Sequence, residues 1–201
     1  MSMTDQRQLA HRLAKTEPDQ ALAVAREIND PWFRCQALSH VARYWPGSDY
    51  DRLLKEALKA ADSHDDVYKQ VTVAAWPKRA YLERGSLASA KTILGKCVGR
   101  APSIGNMGSR SEALFRCFQA IKPGAADLWK PAFWALIEAT EPALAWRQRR
   151  NIRGAIAMVA ADDPQLVQAA VSKLTDEKTT SAITRDIENN RRAQPRPFFW
   201  V

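Results

Sequence analysis

Apolar positions along the chain recur with the spacing of helices that bury one side. In NDPWFRCQALSHVARYW, Asn29 to Trp45, the residues Ala37, Leu38, Val41, Ala42 and Trp45 fall at i, i+1, i+4, i+5 and i+8, the stripe of a single buried helical face. Asp30 and Pro31 stand before it as a helix start, because an Asp side chain caps free backbone N–H groups and Pro tolerates the first turn. Upstream, PDQALAVAREI predicts a shorter helix with Leu22, Ala25 and Ile28 on one side. Two such helices joined by a short corner make a helical hairpin.

The same face pattern returns. Ala113, Leu114, Cys117 and Phe118 repeat it, as do Ala155, Ile156, Val159 and Ala160, with weaker copies at Val71, Thr72, Ala75 and Trp76 and at Ala182, Ile183, Asp186 and Ile187. The copies begin at 37, 71, 113, 155 and 182, so the intervals are 34, 42, 42 and 27 residues, the size of a helical hairpin. Between them lie partner helices in DYDRLLKEALKAA, SLASAKTILGKC, AADLWKPAFWALIEA and PQLVQAAVSKL. Strand alternation is confined to the short VTV at 71–73. Corners like Asp30-Pro31 recur as Glu17-Pro18, Glu141-Pro142 and Asp163-Pro164, while Pro77 and Pro131 fall inside helical pattern and predict a kink or restart. GRAPSIGNMGS, residues 99–109, predicts the longest loop, a flexible connection.

INDPWFRCQALSHVA resembles a HEAT-type repeat, in which an Asp and often a Pro close one helix and an apolar residue followed by Arg opens the next, with small and apolar residues three and seven positions on. Asp30, Pro31, Phe33, Arg34, Ala37 and Val41 hold those places; Arg110 fits a further copy, while Tyr68 and Ile152 depart from it. The resemblance implies an all-α fold, a right-handed α-α superhelix (a HEAT/TPR-like solenoid) of about five helical hairpins after an N-terminal helix. The expectation is one domain over residues 1–201, with 191–201, rich in Pro and aromatic residues, as an extended tail that folds back on the last hairpin or docks into another chain.

Composition narrows the classes. With 46% hydrophobic and 26% charged residues the chain is neither disordered nor membranous in character. No apolar run nears the roughly 20 residues of a membrane span, and the first residues lack a secretory signal's apolar core, so a cytoplasmic protein is expected. Cys35, Cys97 and Cys117 are odd in number and form no C-x-x-C pair; they are read as core filler. No phosphate loop, nucleophile elbow, dinucleotide fingerprint or H-E-x-x-H helix is found, and no motif calls for a cofactor or metal.

Charge points to a surface. Residues 76–153 hold 14 Lys and Arg against 5 Asp and Glu, whereas residues 1–75 hold 10 against 11 and residues 154–201 hold 6 against 6, so the excess behind the net +8 lies in the middle. In WRQRRNIRG, Arg147, Arg149, Arg150 and Arg153 line a helical stripe opposite the Ile152, Ala155 and Ile156 face, and Arg pairs bidentately with carboxylate or phosphate. Aligning the repeated helices places His40, Ala74, Arg116, Met158 and Arg185 at one equivalent position, a ladder along one surface. Arg110, Arg116 and Lys130 are expected to share a concave face with the stripe, and Trp129, Phe133, Trp134 and Trp146 lie near these charges in sequence. The expected function is non-catalytic binding of an acidic protein or peptide. The alternative is DNA or RNA binding, in its enzymatic form similar to HEAT-like alkylpurine DNA glycosylases, with Asp127, Trp129, Trp134 and Arg150 as the comparable residues.

Overall fold

A computed structural model describes residues 1–124, 127–139, 145–189 and 198. Twelve α-helices occupy them: α1 Met3–Leu13, α2 Pro18–Glu27, α3 Pro31–Tyr44, α4 Tyr50–Asp62, α5 Val67–Val73, α6 Ala75–Glu83, α7 Leu87–Arg100, α8 Met107–Ile121, α9 Lys130–Glu138, α10 Trp146–Val159, α11 Pro164–Val171 and α12 Glu177–Glu188. There is no strand among the described residues, and Val71-Thr72-Val73 lies in α5.

Corners follow from capping chemistry. Asp30 accepts from the backbone N–H groups of Trp32 and Phe33 at 2.8 and 3.2 Å, and Asp66, Asn106 and Asp163 cap α5, α8 and α11 in the same way. Prolines begin α2, α3 and α11, and Pro131 is the second residue of α9, so that helix starts later than its sequence pattern predicts. Pro77 sits in the first turn of α6, three residues after the break that divides α5 from α6 at Ala74. The Glu141-Pro142 corner lies outside the described residues. Gly85, with φ of 77°, closes the α6–α7 corner in a left-handed conformation.

The expected loop 99–109 is mostly structured. α7 continues to Arg100, a short 3-10 turn covers Ala101–Ser103, and α8 begins at Met107. Buried Ile104 pins the corner, and the Arg110 guanidinium donates to the carbonyls of Ile104 (2.8 and 3.0 Å) and Pro102 (2.9 Å). A side chain six residues downstream satisfies carbonyls that a flexible loop would leave to water.

Neighbouring helices pack in order. α3 rests on α1, α2, α4 and α6; α8 on α5, α6, α9 and α10; and α10 on α8, α11 and α12. Among the described residues no helix pair in substantial contact is more than three helices apart in the chain. The core is alanine and leucine in the first half, with Ala37, Leu38, Leu53, Leu54 and Ala57 fully buried. In the second half it is aromatic, with Phe118 at 5.7 Å from Trp129 and 5.9 Å from Phe133 between ring centres. Burying one such large apolar side chain contributes about 1.5–3 kcal/mol.

One expectation changes. The aligned positions do not form one exposed ladder: His40 and Ala74 are buried, and His40 stacks on His11 with ring centres 4.0 Å apart, closing α3 against α1. Phe198 packs its ring on Trp76 of α6 at 5.1 Å, and the rest of the 191–201 tail lies outside the described residues.

Candidate functional site: an arginine face across three helices

The arginines of α10 reach outward to the helices on both sides. Arg150 donates to Glu112 of α8 at 2.6 Å, and Arg116, one turn along α8, donates to the other oxygen of the same carboxylate at 3.1 Å. Toward α12, Arg149 meets Asp176 at 3.2 and 3.3 Å, and Arg153 meets Asp186 at 2.6 and 3.1 Å. The carboxylate side chains are 9–17% exposed, and the α10 guanidinium side chains 35–55%. Each acid is therefore set behind its cation, and the cation keeps a face to solvent. Below them Asn151 donates to Ser111 at 3.1 Å in a buried link between α10 and α8, which fixes the register of the pair.

Hydrogen bonds hold the Asp176 charge in place against its burial. The Thr179 hydroxyl and backbone N–H both bond Asp176, opposing its burial, and Arg149 adds to them; its carboxyl is held down at about 2. Tyr68 of α5 borders the same group. Burial raises its hydroxyl, Glu112 adds to the rise, and Arg147 and Arg116 oppose it.

Trp146 opens α10 and is 64% exposed, which is unusual for so large an apolar group. The guanidinium carbons of Arg147 and Arg150 lie 5.8 and 5.2 Å from its ring. An exposed indole held between two cations offers an apolar anchor and a positive rim in one place.

The remaining predicted site residues lie elsewhere. Arg110 is used at the α7–α8 corner. Lys130 pairs with Asp127 at 2.8 Å and approaches Asp163 at 4.0 Å, so it sits past the far end of α10, roughly 20 Å from Arg147 by helical rise. Trp129 is only 4% exposed, with the Lys122 ammonium over its ring at 5.1 Å, and is a packing residue. Trp134 is half-buried beneath Lys173 at 5.3 Å. The residues comparable to a glycosylase's do not converge, since Asp127 and Trp129 stand at one end of α10 and Arg150 near the other.

The sequence pattern left Glu112 and Asp176 unmarked and placed Asp186 only on a repeated helical face, yet these three are the partners that orient the stripe. Their separations from the arginines, 38, 27 and 33 residues, are of hairpin size, so opposite charges one hairpin apart were the available signal. Among the described residues no three His, Cys, Asp or Glu side chains gather as a metal site, and no helix is long and apolar enough to cross a membrane. Comparison with models of known families, with curated proteins and with solved structures gives no match.

Proposed function

We propose that the chain is a HEAT-like solenoid, a right-handed superhelix of about five hairpins, that works in the cytoplasm as a non-catalytic interaction module. Its partner is an acidic peptide or acidic protein surface, taken up by the face around Trp146, Arg147, Arg149 and Arg150. The helix order of contacts and the repeated capped corners support the architecture. The observation that carries the binding reading is the exposed Trp146 flanked by two guanidiniums. Interfaces draw most of their affinity from a few aromatic and Arg anchors, and this is such a pair on an otherwise polar face.

Acidic protein is favoured over nucleic acid because the arginines already carry carboxylates at their backs. Backbone recognition of nucleic acid draws on several phosphate contacts, and single-strand binding on successive stacking aromatics. This face offers one exposed aromatic.

Titration of the full chain with a labelled Glu/Asp-rich peptide containing one aromatic residue, beside a labelled oligonucleotide, across a salt series tests the reading. The peptide is expected to bind, with affinity falling at least about tenfold in Trp146→Ala. Tight oligonucleotide binding with a log–log salt slope of several units, unchanged by Trp146→Ala, would transfer the face to nucleic acid.

A further inference from the structure

A second surface, separate from the arginine face, forms where the start of α3, the α4–α5 corner and the start of α6 meet. The rings of His64, Trp32 and Trp76 stand in a row there, with Trp32 at 6.3 Å from His64 and 6.2 Å from Trp76 between ring centres. Trp76 is buried, and Phe198 packs against it at 5.1 Å while staying only half-buried itself. That is the geometry of a docked anchor, since a core aromatic is enclosed on both sides. Trp32 and His64 are half-buried, so the aromatic strip stays partly open beyond Trp76.

Acids edge the strip. Asp30 caps α3 through the backbone N–H of Trp32 at 2.8 Å, which fixes its carboxylate beside that residue. Asp65 and Asp66 follow His64 directly, and Asp66 caps α5 through the N–H of Tyr68 at 2.8 Å. Asp65 and Asp66 are exposed, and none of the three acids joins an ion pair among the described residues. Arg34 and Lys69 are the nearest cations in sequence, which leaves the acids in excess. A chain of net charge +8 repels a basic segment from most of its surface, whereas here acidic and aromatic groups together attract one. The C-terminal segment RRAQPRPFFWV, residues 191–201, has the matching chemistry: 3 Arg with no Asp or Glu, 3 aromatic residues, and 2 Pro that exclude helix and reduce the chain entropy lost on docking.

We infer that the strip of Trp32 and Trp76, with its acidic edge, is a docking surface for a basic, proline-containing aromatic segment, and that residues 191–201 of the same chain occupy it with Phe198 as the anchor. A short tether holds the anchor at an effective concentration on the order of millimolar. A contact with a dissociation constant of about 100 μM is then enough to keep the surface filled, and a free peptide of the same sequence has to displace the tail to bind.

The test uses a labelled peptide of residues 191–201, titrated into the full-length chain and followed by fluorescence anisotropy. The Phe198→Ala chain, whose own tail lacks the anchor, is expected to bind the peptide about tenfold more tightly than the unsubstituted chain. Adding Trp32→Ala to that chain, or placing Phe198→Ala in the peptide, weakens binding at least about tenfold. Asp65→Lys, at an exposed position that caps no helix, weakens it about threefold and flattens its salt dependence, and it keeps the test open should Trp32→Ala not fold. Acidic-peptide binding at the α10 face is unchanged by Phe198→Ala and Trp32→Ala, so the two surfaces stand or fall separately. Equal affinity of the Phe198→Ala and unsubstituted chains for the tail peptide, or binding indifferent to both Trp32→Ala and Asp65→Lys, would overturn the inference. A concentration-dependent dimer that Phe198→Ala dissolves would overturn it as well, because the tail would then fill the strip of a second copy.

Discussion

Lys78 and Arg150 are both cations that a helix carries toward its neighbour, and they meet opposite surroundings. Arg150 bridges to Glu112 with its own side chain 55% exposed, so water and a carboxylate share its charge. Lys78 is fully enclosed, and its ammonium has no hydrogen-bond partner. The first arrangement joins α10 to α8 and leaves a positive surface, at a modest gain in stability because solvent screens the pair. The second holds a charge where an apolar side chain would pack at least as well. A surface cation is thus explained by structure and recognition together, whereas the buried one gains nothing from either.

That contrast can be broken by substitution. Lys78→Ala leaves a cavity among α6, α7 and α8 and is expected to lower stability by about 2–4 kcal/mol in urea unfolding. Lys78→Met fills the same space without charge and is expected to be neutral or stabilising by about 1–2 kcal/mol, since no unpartnered ammonium is left buried. A large loss in Lys78→Met would mean that the ammonium is structural after all.

On the exposed side, Glu112→Ala removes the one carboxylate that serves both Arg116 and Arg150, and a cost of about 1–2 kcal/mol is expected after allowance for screening. Acid provides a gentler probe. Asp176 is held down at about 2 in the folded chain against 3.8 for the free group, so its contribution is complete above about pH 4 and is lost as pH falls toward 2. Asp176→Asn should flatten that part of the stability–pH curve. Smallest of all, Arg147→Ala is expected to change stability by less than about 0.5 kcal/mol while weakening acidic-peptide binding.

The helices were legible because burial imposes a period. Stripes such as Ala37–Val41–Trp45 and Ala155–Val159, with their Asp-Pro corners, predict α3, α10 and α11. The loop 99–109 misled because Gly and Pro mark turns without showing that Arg110 would bond the carbonyls there. The arginine stripe was visible as charge, but its orientation depends on acids a hairpin away, and Lys130, close in sequence to Trp129, lies past the opposite end of α10. Lys78 escaped notice for a simpler reason. It stands four residues from Ala74 and three from Tyr81 on a buried stripe, and a lysine there reads as an interruption rather than as a core residue.

The recognition surface itself is tested most directly by following backbone and side-chain amide signals in heteronuclear NMR as an acidic peptide is added at low salt. Of the 7 tryptophan indole signals, that of Trp146, assigned through Trp146→Phe, is expected to move most, together with the side-chain N–H signals of Arg147, Arg149 and Arg150. Shifts gathered instead at the Lys122 and Lys130 corner, or no shift at any arginine of α10, would contradict the assignment of this face.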